Sequence, residues 1–313
     1  MEESEAKLNA AYYFRRNAFT IIEEVVKLNT ISPEHTTLYV DEVLHSIFFL
    51  GKIKNCPRYT PQMIVNDDEI YDALKKDYPR AFDLYSSQLP KRSPFSCVLD
   101  MIVHLEGQQN EDLIIKRLQQ LISRLKEDKR NELVPSTICV SQKSNIQNSD
   151  RYYGVSMSTK GPNPGQIVVA ASCCSIWDDY VAGAVMTYYP EKKKKTYFDG
   201  TIKLPADVRC QAFSLFREEP MPPCRSCANM FGLQTTEKTE WAYGNCAEVE
   251  SVSNLFKKEN DVKEKAQPTS PTWTDENRTK ARANVEKELK RLLGMVQFKE
   301  WDGNYYTPQT NYS

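Results

Sequence analysis

The chain has 313 residues, 40% hydrophobic and 27% charged, with Lys+Arg 41 against Asp+Glu 42. That is the make-up of a globular protein with room for two domains, and the near-zero net charge argues against a strongly basic nucleic-acid binder, a local patch aside. Its apolar stretches are too short and interrupted to span a bilayer, so no membrane is expected as a partner. The acidic start Met1-Glu2-Glu3-Ser4-Glu5 is followed by no apolar run and gives no secretory signal.

The first 140 residues predict a helical domain. Leu8, Ala11, Tyr12, Phe14, Ala18, Ile21, Ile22, Val25 and Val26 recur at helical period within Ala6 to Leu28. Val40 to Leu50 and Asp67 to Leu89 follow, the second interrupted by Pro79, and Phe95 to His104 is a short apolar run. Asn110 to Leu133 is the clearest helix, with Leu113, Ile114, Leu118, Leu121, Ile122 and Leu125 on one stripe.

Composition shifts near residue 140. Ser141 to Asp150 is turn-rich and reads as a linker, and residues 150–313 as a second, α/β domain. Tyr152 to Ser158 alternates like a strand. A turn at Gly161-Pro162-Asn163-Pro164-Gly165 leads into Gln166 to Cys174, a buried-looking strand. Val181 to Tyr189 and Lys195 to Ile202 read as a hairpin, and Arg209 to Arg217 as another strand. Helical period returns after Cys224, from Cys246 to Lys257, and from Asp275 to Leu293 behind a Thr274 cap. Val296 to Tyr306 could add an edge strand.

Nine cysteines with no export signal imply reduced thiols and a cytoplasmic or nuclear address. Six of them, Cys56, Cys97, Cys139, Cys173, Cys174 and Cys210, read as buried apolar residues. The other three are clustered: Pro223-Cys224-Arg225-Ser226-Cys227 is P-C-x-x-C, and Cys246-Ala247-Glu248 is C-x-E. If a helix starts at Cys224, Cys227 lies on the same first turn, and Pro222 and Pro223 favour a start there. Gly244-Asn245 makes a similar turn into a helix at Cys246. Cys224, Cys227 and Cys246 then offer three thiolates to one Zn2+, which takes three protein ligands and water at a catalytic site. Glu248, one position further round, is the candidate catalytic proton shuttle for that water. His35, His45 and His104 all lie in the helical half, so the metal set is all-thiolate.

Pro223 to Gly232 resembles the P-C-x-x-C helix of the zinc-dependent cytidine deaminase superfamily, and Gly244 to Val252 its C-A-E helix, in the branch with Cys in place of His. The resemblance covers about residues 180 to 258. It implies a three-layer α/β fold around a mixed five-stranded sheet, and hydrolysis of the exocyclic amine of a cytosine- or adenine-type base. In that family the C-x-E helix precedes P-C-x-x-C. Here the order is reversed, which implies a circularly permuted or rewired topology.

Around the motifs, Trp241 and Tyr243 could wall a base pocket or pack beneath the helices. Asn245 could bind a base or ribose, or serve as an N-cap. Lys192 to Lys195 reads as a solvated hairpin tip, although Tyr188, Tyr189, Tyr197 and Phe198 flank it and could stack on bases. Two functions compete. One is a zinc-dependent deaminase of a nucleobase, nucleoside or nucleic acid. The other is a catalytically inactive deaminase-like zinc module whose N-terminal helices bind a protein partner. A homo-oligomer is compatible with either.

Overall fold

The computed structural model describes residues 2–54, 58–125, 132–144, 146, 148–159, 161–217 and 219–309. Cys56 lies outside the described residues. The architecture is mixed α/β, with thirteen helices and one four-stranded sheet among those residues. Among the described residues no helix is long and apolar enough to cross a membrane.

The N-terminal part is helical, as its periodicity requires: α1 (Glu2–Asn29), α2 (Pro33–Ile53), α3 (Pro61–Val65), α4 (Asp68–Asp77), α5 (Pro79–Leu84), α6 (Pro94–Glu106) and α7 (Glu111–Leu125). Pro79 ends one helix and opens the next, because it lacks an N–H and sits at a first helical position. Helix α2 is buried almost all round and packs against α1, α5 and α6. Arg92 joins α2 to α6. Its guanidinium donates to both carboxylate oxygens of Glu42, at 3.0 and 2.8 Å, and to Asp100.

The sheet orders as β2-β1-β3-β4 and every pairing is antiparallel. Its strands are β1 (Thr137–Lys143), β2 (Tyr152–Val155), β3 (Val208–Ser214) and β4 (Pro220–Met221). Strand β1 occupies the centre, with Cys139 opposite Gly154 on one side and Ala212 on the other. The expected linker therefore begins inside a strand: Ser141 to Lys143 belong to β1. The run Thr137-Ile138-Cys139-Val140, with three β-branched residues, is what builds it. The mixed five-stranded sheet implied by the resemblance is not what forms here. After Cys224 the chain supplies helices, and parallel pairing would need a further strand returned by a crossover.

Two expected strand regions are helical. Gln166 to Cys174 lies in α8 (Pro162–Ser175), and Val181 to Met186 in α9 (Asp179–Met186). A short apolar run that is buried all round carries no periodicity to separate strand from helix. The deciding signals are terminal. Pro162 sits in the first turn of α8, and the Asp178 carboxylate accepts the Tyr180 N–H at the start of α9. The supposed hairpin partner, Lys195 to Ile202, is an irregular segment. Gly183 and Gly200 meet there: a Cβ on Gly183 would lie 2.4 Å from Trp273.

The remaining helices are α10 (Arg225–Phe231), α11 (Ala247–Lys258), α12 (Asn260–Lys265) and α13 (Asp275–Met295). Thr274 caps α13 by accepting the Asn277 N–H at 3.2 Å, as its sequence predicts. Helix α13 packs on α8. The tail forms no strand beyond one parallel bridge between Leu89 and Tyr305. It lies across the helical part instead. The Tyr306 hydroxyl donates to Asp41 at 2.8 Å, its ring stacks on His45 at 3.8 Å, and Phe298 meets Phe49 edge-on. One hydrophobic cluster runs from Phe14 through Val249 to Phe298.

Glu111, at the first turn of α7, ties the helical part to the sheet. Its carboxylate accepts two bonds from Arg209 of β3, both 2.7 Å, and one from Arg151 at 3.1 Å. Arg209 and Arg151 hold its carboxyl below the usual carboxylate range against the opposing pull of burial.

Arg92→Met leaves Glu42 buried, and the part-exposed Asp100 beside it, without their cation. A loss of about 3–5 kcal/mol is expected, read as a lowered urea midpoint. Burial pushes the Asp41 carboxyl up to about 6, and its Tyr306 and Gln309 hydrogen bonds offset part of that. A raised carboxyl stabilises the fold below the unfolded value and loses that contribution as pH climbs through about 6. Asp41→Asn should therefore flatten the fall in unfolding free energy between about pH 4 and 7 by an amount on the order of 3 kcal/mol, measured by urea titration of both proteins across that range.

Candidate metal centre

The site is set by how α11 lies on the sheet. The helix packs against β1, β2 and β3 through its N-terminal half. Gly154 of β2 makes the approach close: a Cβ there would stand 2.4 Å from the Ser251 nitrogen and 2.5 Å from the Ala247 carbonyl. Polar contacts lock the register. Glu250 accepts the Val155 N–H at 2.9 Å, Asn254 donates to the Tyr153 carbonyl at 2.9 Å, and the Ser141 and Ser251 hydroxyls are 2.9 Å apart. Val249, Val252, Leu255 and Phe256 fill the apolar face. At its entry, Gly244 holds φ at 97°, and a Cβ there would strike Val169 of α8 at 2.5 Å.

Both motif cysteines expected to open helices do so. Cys224 is the N-cap of α10 and Cys246 the N-cap of α11, each with extended backbone. Cys227 lies one turn into α10 and is fully buried. The two helix starts converge. Cys224 Sγ is 3.6 Å from Cys227 Sγ and 3.3 Å from Cys246 Sγ, and all three sulfurs lie within 4.8 Å of one another. Tetrahedral Zn–S bonds of about 2.3 Å set sulfurs about 3.8 Å apart, so this set fits a zinc ion with little movement. The three thiols could hold a metal ion.

Their electrostatics are those of a shared negative charge. The neighbouring Cys227 and Cys246 thiols, with the Ser226 and Cys227 amides, pull Cys224 down to about 2 against burial. Cys227 and Cys246 are pushed up, chiefly because each sits beside the Cys224 thiolate. Amides at an open helix start favour a thiolate for the same reason they favour any anion.

Glu248 is 5% exposed, and burial, with the Cys224 charge adding to it, raises its carboxyl to about 7. It lines a cavity of about 220 Å³ with Cys224, Cys246, Asn245, Trp241 and Met157. Asn245 is not the N-cap of α11. Its carbonyl accepts the Met157 N–H at 2.8 Å, and its carboxamide makes no side-chain hydrogen bond among the described residues. Trp241 stands at the cavity rim, 59% exposed. Tyr243 does not line the cavity. It is buried, stacks on Tyr188 at 4.0 Å, and its hydroxyl accepts from Asn229 and donates to Glu240. Of the two readings for Tyr243, packing beneath the motif helices matches this placement.

Sequence reasoning missed the opposite wall. Ser136, Thr137 and Ser156 bring three hydroxyls to the cavity, and the Ser156 hydroxyl accepts the backbone N–H of both Ser136 and Thr137. Small hydroxyl residues at strand ends carry no spacing signal, and only the pairing of β1 with β2 brings them together. Two further thiols, Cys139 and Cys210, approach to 3.6 Å on β1 and β3, outside the three-sulfur cluster.

No family model, no curated protein and no solved structure matches this chain.

The metal centre makes a direct prediction. Purified protein should carry one zinc per chain by elemental analysis. Cys227→Ser should weaken zinc binding by at least about 100-fold, beyond the cost of an outer-shell change, while Cys139→Ala leaves it intact. Acidification should release the ion, because each thiol takes back a proton.

Proposed function

We propose that this site is a zinc-dependent hydrolytic deaminase centre, acting on a cytosine- or adenine-type base in a nucleoside or nucleic acid. The observation that carries the reading is a three-thiol cluster, two of whose cysteines, Cys224 and Cys246, line one cavity with a buried carboxylate, Glu248, and which lacks a fourth protein ligand among the described residues. A structural zinc site closes with four protein ligands; a catalytic one leaves a position open. Zinc, when bound, supplies Lewis-acid activation of water at neutral pH. Cys224, Cys227 and Cys246 would hold it.

Glu248 takes a proton from the attacking water and returns it to a ring nitrogen of the base. A second transfer to the exocyclic nitrogen lets ammonia leave, and the ring carbon keeps the oxygen. Asn245 offers an unpaired carboxamide to the base edge or ribose, and the Ser136, Thr137 and Ser156 hydroxyls face it. Trp241 provides an aromatic face at the rim. The reversed motif order does not weaken this, since ligand geometry is indifferent to chain order. A permuted version of the three-layer deaminase arrangement, with α11 on the sheet and α10 beside it, is part of the same proposal.

Glu248→Gln should retain zinc and the folded state, and lower turnover by about 10²–10⁴-fold. The assay is release of ammonia from a panel of bases, nucleosides, nucleotides and single strands. Wild-type protein that carries zinc but turns over none of them would replace this reading with that of an inactive module that binds a protein partner.

A further inference from the structure

The cavity is small for a whole ligand. At about 220 Å³ it falls below the roughly 300–1,000 Å³ of pockets that enclose a drug-sized molecule, and among the described residues Glu248 is its only ionisable lining residue apart from the cysteines. One heterocycle fits, and nothing inside can neutralise a phosphate. Whatever is attached to that heterocycle must lie outside, across the rim.

The rim is built and held. Trp241 is 59% exposed, yet its backbone is fixed: its carbonyl accepts the Ser226 hydroxyl at 2.7 Å, and the neighbouring Thr239 carbonyl accepts the Arg225 N–H at 2.9 Å. Both donors belong to α10, the helix of the P-C-x-x-C motif. A large exposed aromatic anchored beside a cavity is a surface for stacking.

The lysine run lies against the same strap. Tyr188 stacks on Tyr243 at 4.0 Å, and Lys192 Nζ donates to the Glu240 carbonyl, one residue before Trp241. The four lysines divide into two pairs. Lys195 turns inward to the Met186 and Tyr189 carbonyls, and Lys194 pairs with Asp199. Lys192 and Lys193 are exposed, and neither forms an ion pair among the described residues. Arg225, next to the metal ligand Cys224, is also exposed without one. Of the carboxylates close in sequence, Glu240 is engaged by the Tyr243 hydroxyl, and Glu191 and Glu237 are exposed.

We infer that the substrate is a single-stranded nucleic acid, with one base inserted in the cavity, a neighbouring base stacked on Trp241, and the backbone phosphates running past Lys192, Lys193 and Arg225. Aromatic faces combined with lysines and arginine are the two elements by which proteins track single strands. The inference rests on the deaminase reading for its chemistry, and on the rim alone for its contact surface.

The test uses zinc-loaded protein and fluorescein-labelled single strands of about twelve nucleotides, DNA and RNA in separate arms. Anisotropy is followed across a salt series, with the matching duplex as competitor. Single strands should bind and the duplex should compete poorly. Trp241→Ala should weaken binding by about tenfold or more, the loss of one stacked base. The double variant Lys192→Ala/Lys193→Ala should weaken it and lower the salt slope by about 1. Both variants should keep wild-type zinc content and thermal unfolding, so that a folding defect is recognised as such. Absence of strand binding, or binding indifferent to both variants, overturns the inference. Mass spectrometry of the same strands and of free nucleosides separates it from the deaminase reading. Strands bound through the rim but unchanged in mass would sink the chemistry and leave the surface standing. Nucleosides converted while strands fail to bind would do the reverse.

Discussion

The site hangs on the close contact between α11 and the hairpin of β1 and β2. Because Gly154 has no side chain, the Ala247 carbonyl and the Ser251 amide can come to within contact of the strand. That approach fixes the height of the helix above the sheet. The bonds from Val155 to Glu250, from Asn254 to Tyr153 and between Ser141 and Ser251 fix its rotation and register. Cys246 and Glu248 sit at the end of the helix thus positioned, so their placement follows from it. A helix held by apolar contacts alone could slide by fractions of an ångström; one held by directional bonds at three positions does not.

The second half of the site comes from a different construction. Helix α10 has only seven residues, too few to be stable alone. It is held by its neighbours: Met230 and Phe231 are buried, their carbonyls accept the Ile202 and Leu204 N–H groups, and its first turn is bonded to the 239–241 strap. The same strap carries Trp241 to the rim. Candidate metal ligands, cavity wall and rim are thus one connected piece, and Cys224 lies where the two helix starts face each other.

Much of this was readable from residue order. Helix periodicity placed α1, α2, α7 and α13, and the Pro-Pro and Gly-Asn turns placed the starts of α10 and α11. The spacing of Cys224, Cys227, Cys246 and Glu248 placed each within one turn of a helix start, where the structure also has them. Reading failed where burial erased the pattern. Ile167, Val168 and Val169 are β-branched and buried on every side, so α8 looked like a strand until Pro162 is recognised as a first-turn residue. Strand β1 was missed whole: Thr137 to Val140 fell within the expected helical domain and Ser141 to Lys143 within the expected linker, where Ser141 faces a serine across the interface and so stays polar while buried. The tail was mistaken for a strand because its aromatics, Phe298 and Tyr306, serve as plugs into the helical part and not as a ladder.

The sequence by itself determined the local chemistry: which residues start helices, which three thiols and which carboxylate are available, and the absence of histidine from their neighbourhood. Those properties depend on neighbours within one turn, and a linear reading captures them. Only the tertiary structure decided that the three sulfurs meet, that Tyr243 is buried off the cavity while Trp241 lines it, and that hydroxyls at the ends of β1 and β2 line the same cavity. It also decided that Lys195 turns inward and Lys194 pairs with Asp199, while Lys192 reaches the Glu240 carbonyl beside Trp241. Most of these are contacts between segments far apart in the chain. Their separation in space is set by core packing and by the bare backbone at Gly154, which no local pattern encodes.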